Sequence, residues 1–373
     1  MNNNVIIVGP DHYNTLGIVR SLGEKGVSPI VIIFDAKSSF VLKSKYIKSG
    51  YLFDKADSSI IDFIRKNWYS QNNPSVVIGS SDMACMLIDE NLSKLKGFIC
   101  ANCNSKEGEV SRLMDKYAMN KAAEIANFEV PRSVFVSKDE KLDIDGVRLP
   151  CIAKPLESSF GNKNDIAICY TKDELKAAYS VFEQQHIDVL VQDFIKADYE
   201  VGVMGCSFYN SGEIWIPDII FKKRFSHKSA VYAEVDPIEK HPDFSEIIEK
   251  IKTLVKNVGY RGIFDVDLLC AGDKVYFIEM NMRNGAYGYG LSRSGSNFAY
   301  SWVREAVEQP IETGRLIHST AIMCEFSDLI MLKENKVPLF QWISEYRKSS
   351  HMIVQWADFK PTFTYVLNWL KLH

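Results

Sequence analysis

The sequence predicts a mixed fold: a doubly wound α/β domain at the N-terminus, followed by an α+β region. Strand-like apolar runs alternate with amphipathic helices through about the first 105 residues, as they do in parallel sheets covered by helices on both faces. Further along, a β-hairpin is predicted between Gly262 and Arg283. A chain of 373 residues is also too long for one small core, so we expect two or three domains.

Composition excludes several classes of function. The chain is 46% apolar and 24% charged with a net charge of −3, which gives no electrostatic basis for binding nucleic acid or an anionic membrane. The start lacks the basic flank of a signal peptide, and no apolar run is long enough to span a bilayer. The eight cysteines are scattered through strand-like runs, as expected for reduced core residues. We therefore expect a cytoplasmic protein.

The N-terminal elements alternate along the chain, with predicted strands at Val5–Gly9, Val27–Phe34 and Val76–Gly79 and predicted helices at Leu16–Lys25 and Ile60–Trp68. In such folds ligands bind in the crevice at the carboxyl ends of the strands. Residues 9–14, Asp35 and residues 80–82 would line it. Gly9 does not begin a GxGxxG fingerprint, which disfavours a dehydrogenase. The polar crevice residues could hold a substrate, although ordinary turn chemistry explains them equally well.

Two lysines mark the next stretch of the chain. Lys116 opens a predicted helix over Asp115–Ala126, and Lys154 ends an apolar strand over Leu149–Pro155. A lone lysine is usually a solvated charge. Lys154, however, directly precedes the loop Glu157–Asn164, which is rich in small hydrogen-bond donors. Backbone N–H groups and a lysine at such a place could cradle phosphates.

The predicted hairpin carries the densest chemistry. Centring its turn on Asp273 puts Asp267 opposite Glu279 and Asp265 opposite Asn281, all on one face. Val266, Leu268, Tyr276, Ile278 and Met280 would form the core face, while Leu269 and Phe277 would share the acidic face. Paired carboxylates repel unless a cation separates them, and Mg²⁺ is the natural candidate. The alternative is a hairpin with a solvated acidic face, but the apolar neighbours and the following Arg283 favour a phosphate site.

Asp267 followed by Glu279-Met280-Asn281-Met282-Arg283 resembles the metal-binding signature of the ATP-grasp superfamily. Lys116 and Lys154 resemble its two phosphate-binding lysines, and the resemblance extends in order and spacing over roughly residues 5–310. It implies a Rossmann-like domain over residues 1–105 and a two-lobed ATP-grasp fold over residues 106–310, with the small lobe at about 130–190. Residues 311–373 would form a mostly helical extension that packs on the main body or serves as a homodimer contact.

The resemblance also implies ligand-binding residues. The nucleotide would be held by Lys116, Lys154, the loop residues Ser158, Ser159, Phe160 and Gly161, the hinge residues Gln192, Asp193, Phe194 and Ile195, and Glu200 on the ribose. Mg²⁺, or Mn²⁺ in its place, would be held by Asp267, Glu279 and Asn281. The sequence departs from the family pattern at two places. Family members often have Glu at the position of Gln192, and their phosphate-covering loop is commonly richer in glycine.

Catalytic and substrate-binding residues are expected in three places. Arg283 would steady the transferring phosphoryl group, and the basic run around Lys223 and Arg224 is a candidate contact for substrate or γ-phosphate. Charge runs are usually solvated, so an exposed surface run without a ligand is the alternative. Arg293, Gly295 and Ser296 precede a helix N-terminus, where a substrate carboxylate could bind.

The implied activity is that of an ATP-dependent carboxylate–amine ligase, in which an acylphosphate intermediate reacts with an amine and leaves ADP and phosphate. Its partners would be small-molecule carboxylates and amines. The segments from Met114 onward resemble the D-aspartate ligase-like and carbamoyl-phosphate-synthase-like branches, so bicarbonate phosphorylation is one alternative. A non-catalytic ATP-binding sensor is the other, and the glycine-poor loop is its main support.

Overall fold

The computed structural model describes residues 3–156, 166–226, 229–314, 316, 318–334 and 336–372, with side chains through residue 370. All structural statements below concern these residues. The predicted loop residues Ser158, Ser159, Phe160 and Gly161 lie outside them.

The N-terminal region is a parallel sheet with helices on both faces, as the alternating pattern predicts. Its elements are β1 (Val5–Pro10), α1 (Tyr13–Gly23), β2 (Ile30–Phe34), β3 (Ser49–Phe53), α2 (Ser58–Trp68), β4 (Val76–Gly79), α3 (Asp82–Asp89) and β5 (Ile99–Cys100). The strand order is β3-β2-β1-β4-β5, and every neighbouring pair is parallel. Alternate residues of β1 pack into different clusters, Ile7 with Leu16 of α1 and Ile6 with Ile61 of α2. Burial on both faces explains the continuous apolar runs.

A small antiparallel sheet follows. This part of the chain comprises β6 (Asn102–Cys103), α4 (Glu109–Leu113), α5 (Lys116–Ile125), β7 (Ser133–Val136), β8 (Cys151–Pro155), β9 (Ala167–Cys169), α6 (Lys172–Gln185) and β10 (Val189–Asp193). The strand order is β7-β10-β8-β9, and α6 covers one face through Leu175 and Phe182. Thr171 and Glu174 form a capping box at the start of α6, which fixes where that helix begins.

A large mixed sheet forms the rest of the molecule. Its elements are β11 (Tyr199–Ser207), β12 (Ile214–Trp215), β13 (Asp218–Ser226), β14 (Ser229–Pro237), α7 (Ser245–Asn257), β15 (Tyr260–Ala271), β16 (Lys274–Asn281), α8 (Gly288–Ser294), α9 (Phe298–Ala306), β17 (Thr320–Met323), α10 (Glu325–Lys333), α11 (Leu339–Lys348), β18 (Ser349–His351) and α12 (Phe359–Leu372). The order is β16-β15-β11-β13-β14-β17-β18, with β12 paired to β11 and β6 to β15.

The hairpin of β15 and β16 has the predicted register at its acidic end. Asp265 pairs with Asn281 and Asp267 with Glu279, but the register shifts after Asp267, where Leu268 pairs with Phe277. Ile278 is therefore an extra residue in β16, and the side chains on its far side change faces. Phe277 is buried in the core, whereas Tyr276 and Ile278 are partly exposed. The predicted positions of these three side chains were wrong because strict alternation cannot anticipate a bulge.

The C-terminal segment is part of the body of the protein. β17 and β18 extend the large sheet beyond β14, and the helices α10, α11 and α12 form most of the remaining regular structure of this segment. Arg20 of α1 donates to the Asp358 carboxylate at 3.0 Å, and both side chains are buried. No described helix combines the length and the hydropathy that crossing a bilayer requires. The division at residues 105 and 310 stays a prediction.

Candidate functional site

A cleft of about 370 Å³ lies where the N-terminal sheet, the small sheet and the hairpin meet. It brings together most of the charged residues that the sequence singled out, together with several that it did not: Tyr13, Asp82, Lys116, Lys154, Gly202, Lys222, Asp265, Asp267, Glu279, Asn281, Arg283 and Tyr287. Residues from all three regions of the chain therefore face one space.

The acidic end of the hairpin forms one wall of the cleft. Lys222 of β13 reaches across β11 at Gly202, and its Nζ lies 2.6 Å from Oδ1 of Asp267. Burial alone would lower the pKa of Lys222, but Asp267 outweighs that effect and the pKa is raised. Burial and the neighbouring Asp267 together raise the pKa of Asp265. Asp265, Asp267 and Glu279 thus lie on one wall, and carboxylate oxygens are the ligands that a hard divalent cation prefers.

Arg283 joins this wall to the N-terminal domain. Its Nε donates to Asp82 at 2.6 Å, and its Nη2 donates to Oδ1 of Asn281 at 3.1 Å. Asp82 opens α3, where Ser81 caps the helix. Burial opposes the charge on the guanidinium, but Asp82 keeps the Arg283 pKa above its ordinary value. The arginine is therefore held in place and permanently charged.

Most polar residues of the N-terminal crevice serve the fold. Asn14 and Asn284 exchange hydrogen bonds of 2.7 and 2.8 Å, and Asp11 accepts from the backbone N–H groups of Phe40 and Val41. Of the predicted crevice residues, Tyr13 and Asp82 line the cleft. Ordinary turn and packing contacts account for most of the other crevice residues, which was the alternative to a substrate site.

The two predicted phosphate lysines lie together in the cleft. Lys154 Nζ donates to Oε1 of Gln192 at 3.0 Å, and Lys116 Nζ donates to the carbonyls of Pro155 and Leu156 at 3.2 and 3.1 Å. Burial, with the Lys116 charge adding to it, lowers the pKa of Lys154 to about 8. Two cations held close together are suited to an anion such as a phosphate chain.

The predicted adenine segment lies at the end of β10. The buried Gln192 side chain donates from Nε2 to Ser133 at 3.0 Å while it accepts from Lys154. The N–H of Asp193 donates to Arg132 and that of Phe194 to Pro150, and Ile195 follows, partly buried. Glu200 pairs with Lys222 across β11 and β13. The nucleotide roles of these residues stay predictions.

The basic run of β13 needs a correction. Lys223 pairs with Glu234 at 3.2 Å and is half exposed, while Arg224 binds Asp328 and Glu345 at 2.6 and 2.9 Å. The register with β14 shifts between Lys222 and Arg224, so these two side chains leave the sheet in different directions. Neither predicted residue lines the cleft. Lys222 does, and sequence reasoning missed it because alternation alone does not reveal a bulge.

The predicted carboxylate-binding turn also lies away from the cleft. Arg293 and Gly295 are exposed at the end of α8, and Ser296 is fully buried beside the Asp218 carboxylate. A buried carboxylate next to Ser296 disfavours a second one as ligand. Tyr287 is better placed to contact a substrate carboxylate. It lines the cleft, and its buried hydroxyl has no hydrogen-bond partner among the described residues.

Comparison with known proteins finds a family match over the stretch that supplies most of the cleft residues. Residues 121–290 match the ATP-grasp domain family. Formate-dependent phosphoribosylglycinamide formyltransferase from Nitratiruptor sp. is 28% identical over 203 residues, which cover 51% of this chain and 50% of that protein. The chain thus spans about half the length of the curated relatives it matches.

Solved structures agree on the architecture. N5-carboxyaminoimidazole synthetase from Staphylococcus aureus complexed with ADP superimposes with a TM-score of 0.69 at 13% identity, covering 90% of this chain and 86% of that one. L-amino acid ligase from Bacillus licheniformis gives a TM-score of 0.67 at 12% identity, covering 87% and 80%. At such identities the likeness shows the fold alone.

Proposed function

Because residues 121–290 match the ATP-grasp domain family, we propose that this protein is an ATP-dependent ligase that joins a carboxylate to an amine through an acylphosphate. One observation carries the proposal. The acidic hairpin, the Lys116–Lys154 pair and the Asp82-bound Arg283 face the same cleft. A metal-binding wall, a phosphate-binding pair and a permanent cation are what phosphoryl transfer to a carboxylate requires.

The nucleotide would bind between the small sheet and the large one. Lys116 and Lys154 would hold its phosphates, with Ser158 to Gly161 covering them, Gln192 to Ile195 beside the base, and Glu200 on the ribose hydroxyls. Lys154 would exchange its contact with Gln192 for a phosphate oxygen. In the new contact both partners would be charged, whereas the Gln192 oxygen is neutral.

Mg²⁺, or Mn²⁺, would be held by Asp267, Glu279 and Asn281. Among the described residues, no three Asp, Glu, His or Cys side chains converge closely enough to hold a metal ion by themselves. The residues nevertheless fit magnesium, which usually takes one or two carboxylates and completes its shell with water and nucleotide phosphates. When bound, the ion would neutralise charge on the phosphates.

The reaction needs two displacements. A carboxylate oxygen of the first substrate attacks the γ-phosphorus, and the bond to the β–γ bridging oxygen breaks to release ADP. The amine nitrogen then attacks the acyl carbon, loses a proton, and expels phosphate. Arg283 and Lys222 would stabilise the negative charge of both steps, since both are held at the cleft wall by carboxylates. Exclusion of water would protect the anhydride.

The test is an acceptor panel. With ATP, Mg²⁺, a set of carboxylates and a set of amines, ADP and phosphate should be released only when an acid and an amine are both present, and an amide should be detected by mass spectrometry. Release of ADP with bicarbonate and a carbamoyl-type product would support the bicarbonate alternative. ATP binding without turnover for every acceptor pair would favour the sensor.

A further inference from the structure

A second pocket of about 430 Å³ opens beside the cleft. The two share Asp82, Lys116, Glu279 and Asn281, so the second pocket reaches the same reaction centre from the side of the N-terminal domain. Its remaining wall is largely apolar and is supplied mainly by Met83, Met86, Met114, Met119, Ile278 and Met280. We call this space the methionine pocket.

Two features distinguish the methionine pocket from a packing defect. Protein interiors leave few voids larger than a water molecule, whereas this space has the size of a small-molecule site. The bulge of β16 also contributes to it, because the extra residue Ile278 lines the pocket directly beside Glu279. Bulges commonly re-aim a side chain next to an active site.

The rim of the methionine pocket selects the charge of an occupant. Asp82, Glu90, Asp115 and Glu279 line it, against Lys116 as a cation. Arg283 neutralises Asp82 and Glu279 is assigned to the metal, so Glu90 and Asp115 remain against Lys116. An ammonium group is attracted by such a rim, and a carboxylate is repelled. Methionine side chains adapt to apolar groups of varied shape.

We infer that the methionine pocket binds the apolar side chain of the amine substrate, a primary amine that carries an aliphatic or aromatic group. The inference rests on the proposed ligase function, because that reaction is what consumes the amine. Binding of the amine can nevertheless be measured without turnover. The acidic rim receives the protonated amine from solvent, and the methionine wall selects amines by the size of their hydrocarbon part.

The test measures binding of n-alkylamines of increasing length to the whole protein by calorimetry. Each added methylene should lower the Kd about three- to fourfold, as burial of one CH₂ predicts. In Met86→Trp, which fills the partly open pocket, this dependence on chain length should disappear. Ile125→Trp is the matched control, because Ile125 lies on α5 but is 71% exposed and does not line the pocket; it should behave like the wild type.

A second measurement needs no variant. Met83 is 47% exposed at the pocket, so hexylamine should slow its oxidation by peroxide, as followed by peptide mass spectrometry. The inference is overturned if Kd does not depend on chain length, if Met86→Trp keeps the dependence, or if n-alkylcarboxylates show the stronger dependence. These results are independent of ADP release, so the ligase proposal and the pocket assignment can fail separately.

Discussion

Two cations of the same strand lie in opposite kinds of environment. Lys222 faces the cleft and makes a 2.6 Å contact with Oδ1 of Asp267, which also lines the cleft. Arg224, two residues further along β13, donates both Nε and Nη2 to Asp328 and Nη1 to Glu345, and it stacks over the Tyr232 ring at 4.6 Å. Lys222 is therefore placed to act on a ligand, whereas Arg224 joins β13 to α10 and α11.

Burial of the partner carboxylate sharpens the contrast. The Asp328 side chain is 0% exposed, whereas that of Asp267 is 25% exposed and faces the cleft. A fully buried charge must keep its partner, because no solvent can replace it. A carboxylate at the edge of a cleft can exchange one cation for another. Charge in the C-terminal region therefore holds the fold together, and charge at the hairpin is free to serve chemistry.

The largest expected effect is on stability. Arg224→Met leaves Asp328 buried without its counter-charge and should lower the free energy of unfolding by about 3–5 kcal/mol, measured by urea denaturation. Lys223→Met is the matched control, because Lys223 is half exposed and surface pairs contribute about 0–1 kcal/mol. If Arg224→Met unfolds like the wild type but loses turnover, the arginine acts at the substrate, as the sequence first suggested.

Glu279→Gln tests the cleft wall. It removes a carboxylate that we assign to the metal and should lower metal-dependent turnover about 100-fold or more, since metal stabilisation of transition-state charge is worth several kcal/mol. The urea midpoint should stay close to that of the wild type. Glu234→Gln, on the exposed side of β14, is the control and should keep its activity. Unchanged turnover in Glu279→Gln would place the metal elsewhere.

Lys222→Met tests the comparison directly. It should reduce kcat/KM about 10- to 100-fold, because a cation beside the transferring group is lost. The free energy of unfolding should fall less than in Arg224→Met, because the Asp267 side chain is 25% exposed and solvent can replace the lost cation. Assays of turnover and urea unfolding on Lys222→Met, Lys223→Met and Arg224→Met should give three different outcomes: loss of activity, no loss, and loss of stability. A loss of stability in Lys222→Met with turnover unchanged would reverse the assignment.

The sequence could predict what depends on local periodicity. The pairing of Asp267 with Glu279 was predicted correctly, although the turn closes at Ala271 and Lys274 and the extra residue Ile278 restores the predicted register. Lys154 reaches the cleft because it ends an apolar strand. It could not predict register shifts such as those at Ile278 and Lys223, since a bulge is set by packing on both sides of a sheet. Nor could it predict that Asp218 would occupy the space beside Ser296, because residues distant in sequence leave no local signal.

The smallest expected effect concerns a second contrast, between the two lysines of the cleft. Asp267 raises the pKa of Lys222, whereas burial lowers that of Lys154 to about 8. Lys154 is therefore charged below pH 8 and neutral above it, so nucleotide affinity should be full at pH 7 and fall about tenfold by pH 9. The affinity is measured by calorimetry with an ATP analogue.

The lowered pKa of Lys154 has the opposite effect on the stability of the free protein, which should rise with pH where nucleotide affinity falls. Between pH 8 and the ordinary lysine pKa the unfolded chain binds a proton that the folded one does not, so the Lys154 contribution to stability rises with pH. Lys154→Met should bind nucleotide more weakly and lose most of the pH dependence of affinity between pH 7 and 9. If the variant keeps the wild-type slope, another group is responsible, and Lys154 does not carry the charge that meets the phosphates.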